Sequence, residues 1–180
     1  MYGSRSARFS PLQQGNLDGL CGVYSILNAT RCVTGPINDQ EARNLFLSII
    51  DYLHAKKGSL QFFVDGISIH DIGSVLRDIV EPNYSVIRTK PFAKKGDVGL
   101  ANFWEHMSEF LSRPSRAIIL GLTGKYDHWT VAKSITENRL TLLDSDRLYW
   151  INRGAVTTGT PTARRAHGIP PNFAYFLVRK

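Results

Sequence analysis

The sequence predicts an α+β fold, with helices in the first half of the chain and an antiparallel sheet in the second. Apolar residues recur at helical spacing along much of the chain up to Leu111, and short apolar runs separated by turn residues follow to the C-terminus. Hydrophobic residues make up 43% of the chain, which is enough for a sizeable core and excludes a wholly disordered protein. A chain of 180 residues fits a single domain, which we expect to span residues 1–180.

The predicted helices each combine an apolar stripe with start or stop signals. Gly35-Pro36 breaks the first helix, Asn38 and Asp39 can cap the second, and Gly58 follows the second after two lysines. The expected helices are Cys21 to about Cys32, a second helix from the Asn38-Asp39 cap to near Lys56-Lys57, Ser68–Val80 and Ala101–Leu111. The first twenty residues are polar and rich in glycine, so we expect an extended lead-in to the first helix.

The predicted strands lie mostly in the second half of the chain. Glu137-Asn138 separates two of them and predicts a hairpin turn, whereas a flexible basic loop is expected through Lys94-Lys95-Gly96. The expected strands are Tyr84–Thr89, Ala117–Leu122, His128–Thr136, Arg139–Leu143, Leu148–Ile151 and Ala174–Val178.

The charge is unevenly distributed along the chain. Lys and Arg total 22 against 15 for Asp and Glu, and the residues after Ser145 carry +5 of the net +7. A positive loop around Arg164-Arg165 could attract an acidic substrate or partner, although a solvated surface loop is the simpler interpretation. Nucleic-acid binding is not expected, because the basic residues are not interleaved with an aromatic platform and form no recognisable module.

The two cysteines, Cys21 and Cys32, are too few for a disulfide scaffold or a four-cysteine zinc site, and the histidines lack metal-ligand spacing. We therefore expect no metal and no cofactor. No apolar run approaches the roughly 20 residues of a membrane span, and the amino terminus lacks the apolar stretch of a secretory signal. These features predict a cytoplasmic protein, or an effector delivered without a signal peptide.

The segment Gln13–Ser25 carries the first chemical motif. Cys21 stands at the first turn of the predicted helix, where unpaired N–H groups and the helix dipole stabilise a thiolate. Gly19 and Gly22 flank it and leave room for a substrate backbone, and an upstream glutamine can donate to an oxyanion. A lone cysteine here could equally be a small buried apolar residue. Ser25 and Asn28, one and two turns further, are expected to pack or hydrogen-bond inside the fold.

A second motif lies far downstream, on the predicted hairpin. His128 opens one strand and Asp144 ends the next, so a turn at Glu137-Asn138 brings positions 128 and 144 close to opposite each other. An imidazole beside a carboxylate is an oriented general base, which needs only a thiol to form a Cys-His-Asp triad. Asp146 is an alternative carboxylate, but Asp144 directly continues the apolar run and is preferred.

These motifs together resemble the papain-like cysteine peptidases. The shared features are a glutamine before a Gly-Leu-Cys-Gly helix start, an Asp-His-Trp strand and an Asp-Ser strand end, between Gln13 and Asp144. The compact form is more similar to the C39-like bacterial branch, and to small deubiquitinase-like domains, than to full papain. The resemblance implies a papain-like fold with Cys21 as nucleophile, His128 as base and Asp144 as orienting residue. It favours Gln14 as oxyanion donor, with Gln13 as the alternative because the spacing from glutamine to cysteine is longer than in papain.

The resemblance implies a thiol hydrolase that acts on a peptide, isopeptide or glutamine-type amide of a protein or peptide substrate through an acyl-enzyme thioester. The alternative enzymatic activity is that of a deamidase or an acyl or amine transferase of the same fold, acting as a toxin-like effector. The alternative without enzymatic activity is a protein-binding domain. The presence of Cys21, His128 and Asp144 together counts against the last alternative, since a catalytically dead relative commonly lacks one of the three.

Overall fold

The structure is a computed structural model that describes residues 10–15, 18–94 and 98–180. Part of the expected lead-in (residues 1–9, 16 and 17) and two residues of the expected basic loop, Lys95 and Gly96, lie outside the described residues. The α+β class is confirmed.

The helices follow the predicted order. Their bounds are α1 (Cys21–Thr34), α2 (Asp39–Lys57), α3 (Phe62–Asp65), α4 (Ile69–Val75), α5 (Glu81–Asn83) and α6 (Leu100–Leu111), with a π-helical turn (Leu76–Val80) joining α4 to α5. The first two helices are confirmed, including the cap at Asn38 and the left-handed glycine, Gly58, after α2. The third predicted helix, expected from Ser68, begins at Ile69, and Ser68 is its N-cap.

The strands form one largely antiparallel sheet. Their bounds are β1 (Val86–Thr89), β2 (Arg116–Gly124), β3 (His128–Ile135), β4 (Arg139–Leu142), β5 (Trp150–Asn152), β6 (Val156–Thr157), β7 (His167–Gly168) and β8 (Ala174–Arg179). The main order across the sheet is β1-β8-β2-β3-β4-β5, and β7 pairs with the end of β2. The short pair β6 and β7 is parallel, in contrast to the purely antiparallel sheet expected.

The two faces of the sheet bury two separate apolar clusters. In β2, Ile119 faces the cluster formed with α1, α2 and α4, whereas Ile118 and Leu120 face the cluster formed with α6. This alternation follows from the two-residue period of a strand. The helices therefore cover both faces, and the helix that begins with Cys21 packs against the central strands from one side.

The structure corrects two predicted element ends. The third predicted helix continues past Val80 to Asn83, because the wide π-helical turn accommodates Pro82, whose ring would clash with the preceding turn of a regular α-helix. The predicted strand Leu148–Ile151 begins only at Trp150. The backbone N–H of Leu148 instead donates to the Asp144 carboxylate at 3.0 Å, which holds the chain in a turn.

Within the described ranges, no helix is both long enough and apolar enough to cross a membrane.

We expect Asn38→Ala to lower the free energy of unfolding by about 1 kcal/mol. Asn38 Oδ1 accepts the backbone N–H of Glu41 at 2.9 Å, and the Glu41 carboxylate accepts the N–H of Asn38 at 3.0 Å, so the variant loses a capping box. Urea denaturation measures the change. Arg43→Ala, at an exposed position of the same helix, is the control and should shift stability by less than about 0.5 kcal/mol. Equal losses in both variants would contradict the capping role.

Candidate active site

Cys21 is the first residue of α1 and lies against the start of β3. The backbone N–H of Trp129 points to Cys21 Sγ at 3.5 Å, and the side chain is only partly buried. The first turn of α1 contains no acidic residue that would oppose a negative charge on sulfur. The sequence-predicted position of the cysteine, at a helix N-terminus, is therefore the position observed.

His128 and Asp144 form a hydrogen-bonded pair beside Cys21. His128 Nε2 lies 2.7 Å from Asp144 Oδ2, and the carboxylate is completely buried. The other carboxylate oxygen, Oδ1, accepts the backbone N–H groups of Asp146 at 2.8 Å and Leu148 at 3.0 Å. These bonds hold the carboxylate in one orientation, and it in turn fixes the imidazole.

His128 and Asp144 stabilise each other's charged forms. Burial disfavours the imidazolium of His128, but its hydrogen bonds to Asp144 and to the Cys21 thiolate, together with their negative charges, raise its pKa to about 10. Burial likewise opposes ionisation of Asp144, yet the hydrogen bond and positive charge of His128 hold the pKa of the carboxyl below its usual value. The arrangement favours the imidazolium of His128 and the carboxylate of Asp144 at neutral pH.

The register of the hairpin differs from the expected one by two residues. The turn at Glu137-Asn138 is present and pairs Ile135 with Leu140, a register that alone would place residue 147 opposite residue 128. A bulge between Ala132 and Ser134 shifts the pairing by one residue, so that Ala132 lies opposite Leu142. Leu143 N–H then donates to Val131 O at 2.8 Å. Asp144 therefore follows on beside Thr130 rather than His128, and its carboxylate reaches His128 diagonally on the same face of the sheet.

The two candidate glutamines lie against the loop that follows β4. The Gln13 amide nitrogen already has two acceptors. Its Nε2 donates to the Asp144 carbonyl oxygen at 3.1 Å and to the Pro11 carbonyl oxygen at 3.4 Å. The Gln14 amide is held by its oxygen, because Ser145 Oγ donates to Gln14 Oε1 at 3.2 Å. The Gln14 Nε2 makes no hydrogen bond within the described part of the chain, so its two hydrogens are free to donate.

Cys21 and His128 line a surface cleft of about 580 Å³. One wall is the end of α3 and the turn after it, and the opposite wall is the start of β3 with Phe173. The first wall includes Val64, Asp65, Gly66, Ile67, Ser68 and Ile69, and the second includes Asp127, His128 and Trp129. Sequence reasoning missed the first wall because α3 has only 4 residues and no apolar stripe that would mark it.

The glycines beside Cys21 serve close packing, which corrects the expected role of Gly22. A Cβ at Gly22 would lie 2.5 Å from Ile67 Cγ1 and 3.2 Å from Trp129 Cδ1, so this glycine is covered rather than open to a substrate. Gly19 does line the cleft, but its backbone N–H donates to Phe63 O at 2.6 Å. The two glycines thus bring the start of α1 against the first wall of the cleft.

The remaining candidates lie apart from this group. Asp146 is exposed and contributes its backbone N–H to Asp144, so the structure does not bring its carboxylate to His128. Burial raises the pKa of the Cys32 thiol. Arg164 and Arg165 are exposed and are not among the described residues that line the cleft. Across the described ranges, no cluster of three or more His, Cys, Asp or Glu side chains is arranged to hold a metal ion.

No family model matches the chain, and neither the curated proteins nor the solved structures include a significant match to it. The chemical interpretation therefore depends on the geometry. A sulfur nucleophile and a proton carrier line one open cleft, and a buried carboxylate fixes the proton carrier, which is a set suited to acyl transfer through sulfur.

We expect iodoacetamide to alkylate Cys21 well before Cys32 at mildly acidic pH. The raised pKa of His128 keeps the imidazolium beside the Cys21 sulfur through neutral pH, so Cys21 should react faster than Cys32 between about pH 6 and pH 8. The Cys32 thiol has a raised pKa, so its rate should increase about tenfold per pH unit over the same range. Peptide mass spectrometry after timed labelling measures both rates.

Two results would contradict this interpretation of the thiol. One is equal labelling of the two cysteines at mildly acidic pH. The other is faster labelling of Cys32 than of Cys21, since the reactive thiol would then lie away from His128. Cys32→Ala is the matched control, because it removes the second thiol and leaves the group around Cys21 intact.

Proposed function

We propose that the protein is a papain-like thiol hydrolase that cleaves a peptide, isopeptide or glutamine-type amide bond in a protein or peptide substrate. The observation that carries this proposal is the series Asp144, His128 and Cys21, in which Cys21 and His128 line an open cleft and Asp144 is buried behind His128. A buried cysteine and a histidine with only a structural role would not require a buried carboxylate held by two backbone N–H groups.

The proposed reaction begins with the Cys21 thiolate attacking the carbonyl carbon of the amide. The carbonyl π electrons move to oxygen, and the tetrahedral intermediate collapses as the carbon–nitrogen bond breaks. His128 gives its Nδ1 proton to the leaving nitrogen and so becomes neutral. The neutral imidazole then accepts a proton from water, which attacks the thioester and releases the acid with regeneration of the Cys21–His128 pair.

The negative charge that develops on the carbonyl oxygen needs hydrogen-bond donors. The backbone N–H at the start of α1 supplies one, because the first N–H groups of a helix have no partner within the helix. Gln14 is the proposed second donor. Among the described residues Gln14 Nε2 has no hydrogen-bond partner, whereas Gln13 Nε2 donates to two carbonyl oxygens, which supports Gln14 over Gln13.

A search for changed proteins tests the proposed activity while the substrate is still unidentified. Wild-type protein and Cys21→Ala are each incubated with a complex protein mixture, and mass spectrometry compares new termini, released isopeptides and Gln-to-Glu changes. We expect changes that occur with the wild type alone. Changes confined to deamidated glutamines would favour the deamidase, and identical profiles with the two proteins would contradict a thiol hydrolase.

We expect the triad variants to differ in a defined order with p-nitrophenyl acetate, a general acyl donor for thiol hydrolases. Cys21→Ala and His128→Ala should give no enzymatic release of p-nitrophenolate. Asp144→Ala should lower the rate by roughly 10² to 10⁴-fold without abolishing it, because a poorly held imidazole still transfers protons. Asp146→Ala is the control and should retain the wild-type rate. Circular dichroism verifies that each variant folds.

A silent Asp144→Ala together with a strongly impaired Asp146→Ala would move the orienting role to Asp146. Retention of the wild-type rate by His128→Ala would contradict the proposed base directly.

We expect Gln14→Ala to lower the rate of Cys21 acylation by p-nitrophenyl acetate about 100- to 1,000-fold, as loss of an oxyanion donor does in other hydrolases. Alkylation of Cys21 by iodoacetamide should be little changed, because that reaction develops no charge on a carbonyl oxygen. Gln13→Ala is the matched neighbour and should be mild. The reverse order would assign the role to Gln13, and two silent variants would leave the oxyanion to backbone N–H groups alone.

A further inference from the structure

We propose that Asn28 is a positioning residue for the reaction, because it anchors the backbone of the segment that carries Gln14, the proposed oxyanion donor. The inference rests on the proposed function and adds to it a residue that touches neither substrate nor sulfur. Asn28 would act through the backbone of the segment that carries the glutamine.

Asn28 clamps the segment before α1 by both halves of its side-chain amide. Its Oδ1 accepts the backbone N–H of Leu12 at 2.8 Å, and its Nδ2 donates to the Leu12 carbonyl oxygen at 3.1 Å. The side chain is completely buried, so water cannot substitute for either bond. A carboxylate would lack the donor and a hydroxyl would lack the reach, so this pair of bonds requires a primary amide.

The clamp lies directly before the proposed oxyanion donor. Two residues after Leu12, the backbone N–H of Gln14 donates to Ser145 O at 3.1 Å, and Ser145 Oγ donates to Gln14 Oε1 at 3.2 Å. The glutamine is thus fixed at its backbone and at its amide oxygen, which leaves Nε2 as the end that can donate to a ligand. Release of Leu12 would loosen the segment that makes these contacts.

The same helix also carries the nucleophile. Cys21 and Asn28 are separated by two turns of α1, so they project from nearly the same side of the helix, about 10 Å apart along its axis. One rigid element therefore fixes both the sulfur and the anchor of the segment that bears Gln14. This arrangement keeps the spacing between nucleophile and donor constant, although residues 16 and 17 between them lie outside the described residues.

The test compares two reactions of the same sulfur. Acylation of Cys21 by p-nitrophenyl acetate passes through an oxyanion, whereas alkylation by iodoacetamide does not. The ratio of the two rates therefore reports on oxyanion stabilisation and is insensitive to the reactivity of the thiol. The ratio is measured for wild type, Asn28→Ala, Gln14→Ala and the double variant. Asn28→Leu, which keeps the buried volume, provides a second variant should Asn28→Ala fold poorly.

Thr30→Val is the matched control. Thr30 is equally buried on α1, and among the described residues its hydroxyl bonds only to Ile26 O of the same helix, at 2.8 Å. The control loses one buried hydrogen bond without touching the clamped segment, so its rate ratio should equal that of the wild type. Thermal melts of all variants separate a general loss of stability from a change in the ratio.

We expect Asn28→Ala or Asn28→Leu to lower the ratio about tenfold or more, and to lower it no further when Gln14 is already alanine. An unchanged ratio in the Asn28 variants would overturn the inference. A full additional loss in the double variant, or a silent Gln14→Ala, would overturn it as well, since Asn28 would then not act through Gln14. Failure of the proposed function is distinguishable, because Cys21 would then show no preferential alkylation over Cys32 in the wild type.

Discussion

The buried carboxylate of Asp144 is the contact on which the rest of the site depends. One oxygen fixes His128, and the other binds the backbone N–H groups of Asp146 and Leu148, which ends the hairpin strand in a turn. Its backbone carbonyl oxygen also accepts a hydrogen bond from the Gln13 amide nitrogen. A single residue thus determines the orientation of the imidazole, the path of the chain after β4 and part of the docking of the lead-in segment.

The negative charge of Asp144 can be buried because hydrogen-bond donors contact both of its carboxylate oxygens. A buried ion is costly when partners are missing, whereas Asp144 has one imidazole and two backbone donors. Two of these three donors belong to the backbone, so the carboxylate keeps polar partners even when His128 gives up its proton. A base that cycles between imidazolium and imidazole requires an orienting group with this property.

The sequence allowed prediction of features with local causes. Periodicity and the Asn38 cap predicted the helices that position Cys21, and the turn at Glu137-Asn138 predicted the hairpin. The proximity of His128 and Asp144 was also predicted, but their register was not. The two-residue turn already excludes a direct pair between positions 128 and 144, and the bulge near Ala132 leaves no pattern in the sequence.

Features that depend on contacts between residues far apart in the sequence could not be predicted from the sequence. The wall of the cleft around α3 contains too few residues to show periodicity. Gly22 was interpreted as leaving space for a substrate, whereas Ile67, which lies 45 positions away, covers it. Asn28 was expected to hydrogen-bond inside the fold, but nothing in the sequence indicated that its partner is the backbone of Leu12.

The most direct test of the account is the nitrogen NMR titration of His128 in wild type and in Cys21→Ser. The account predicts that both ring nitrogens of the wild type stay protonated through neutral pH and that the variant, without the thiolate charge, loses this proton at a lower pH. A neutral His128 in the wild type at pH 7, or identical titration in both proteins, would contradict it.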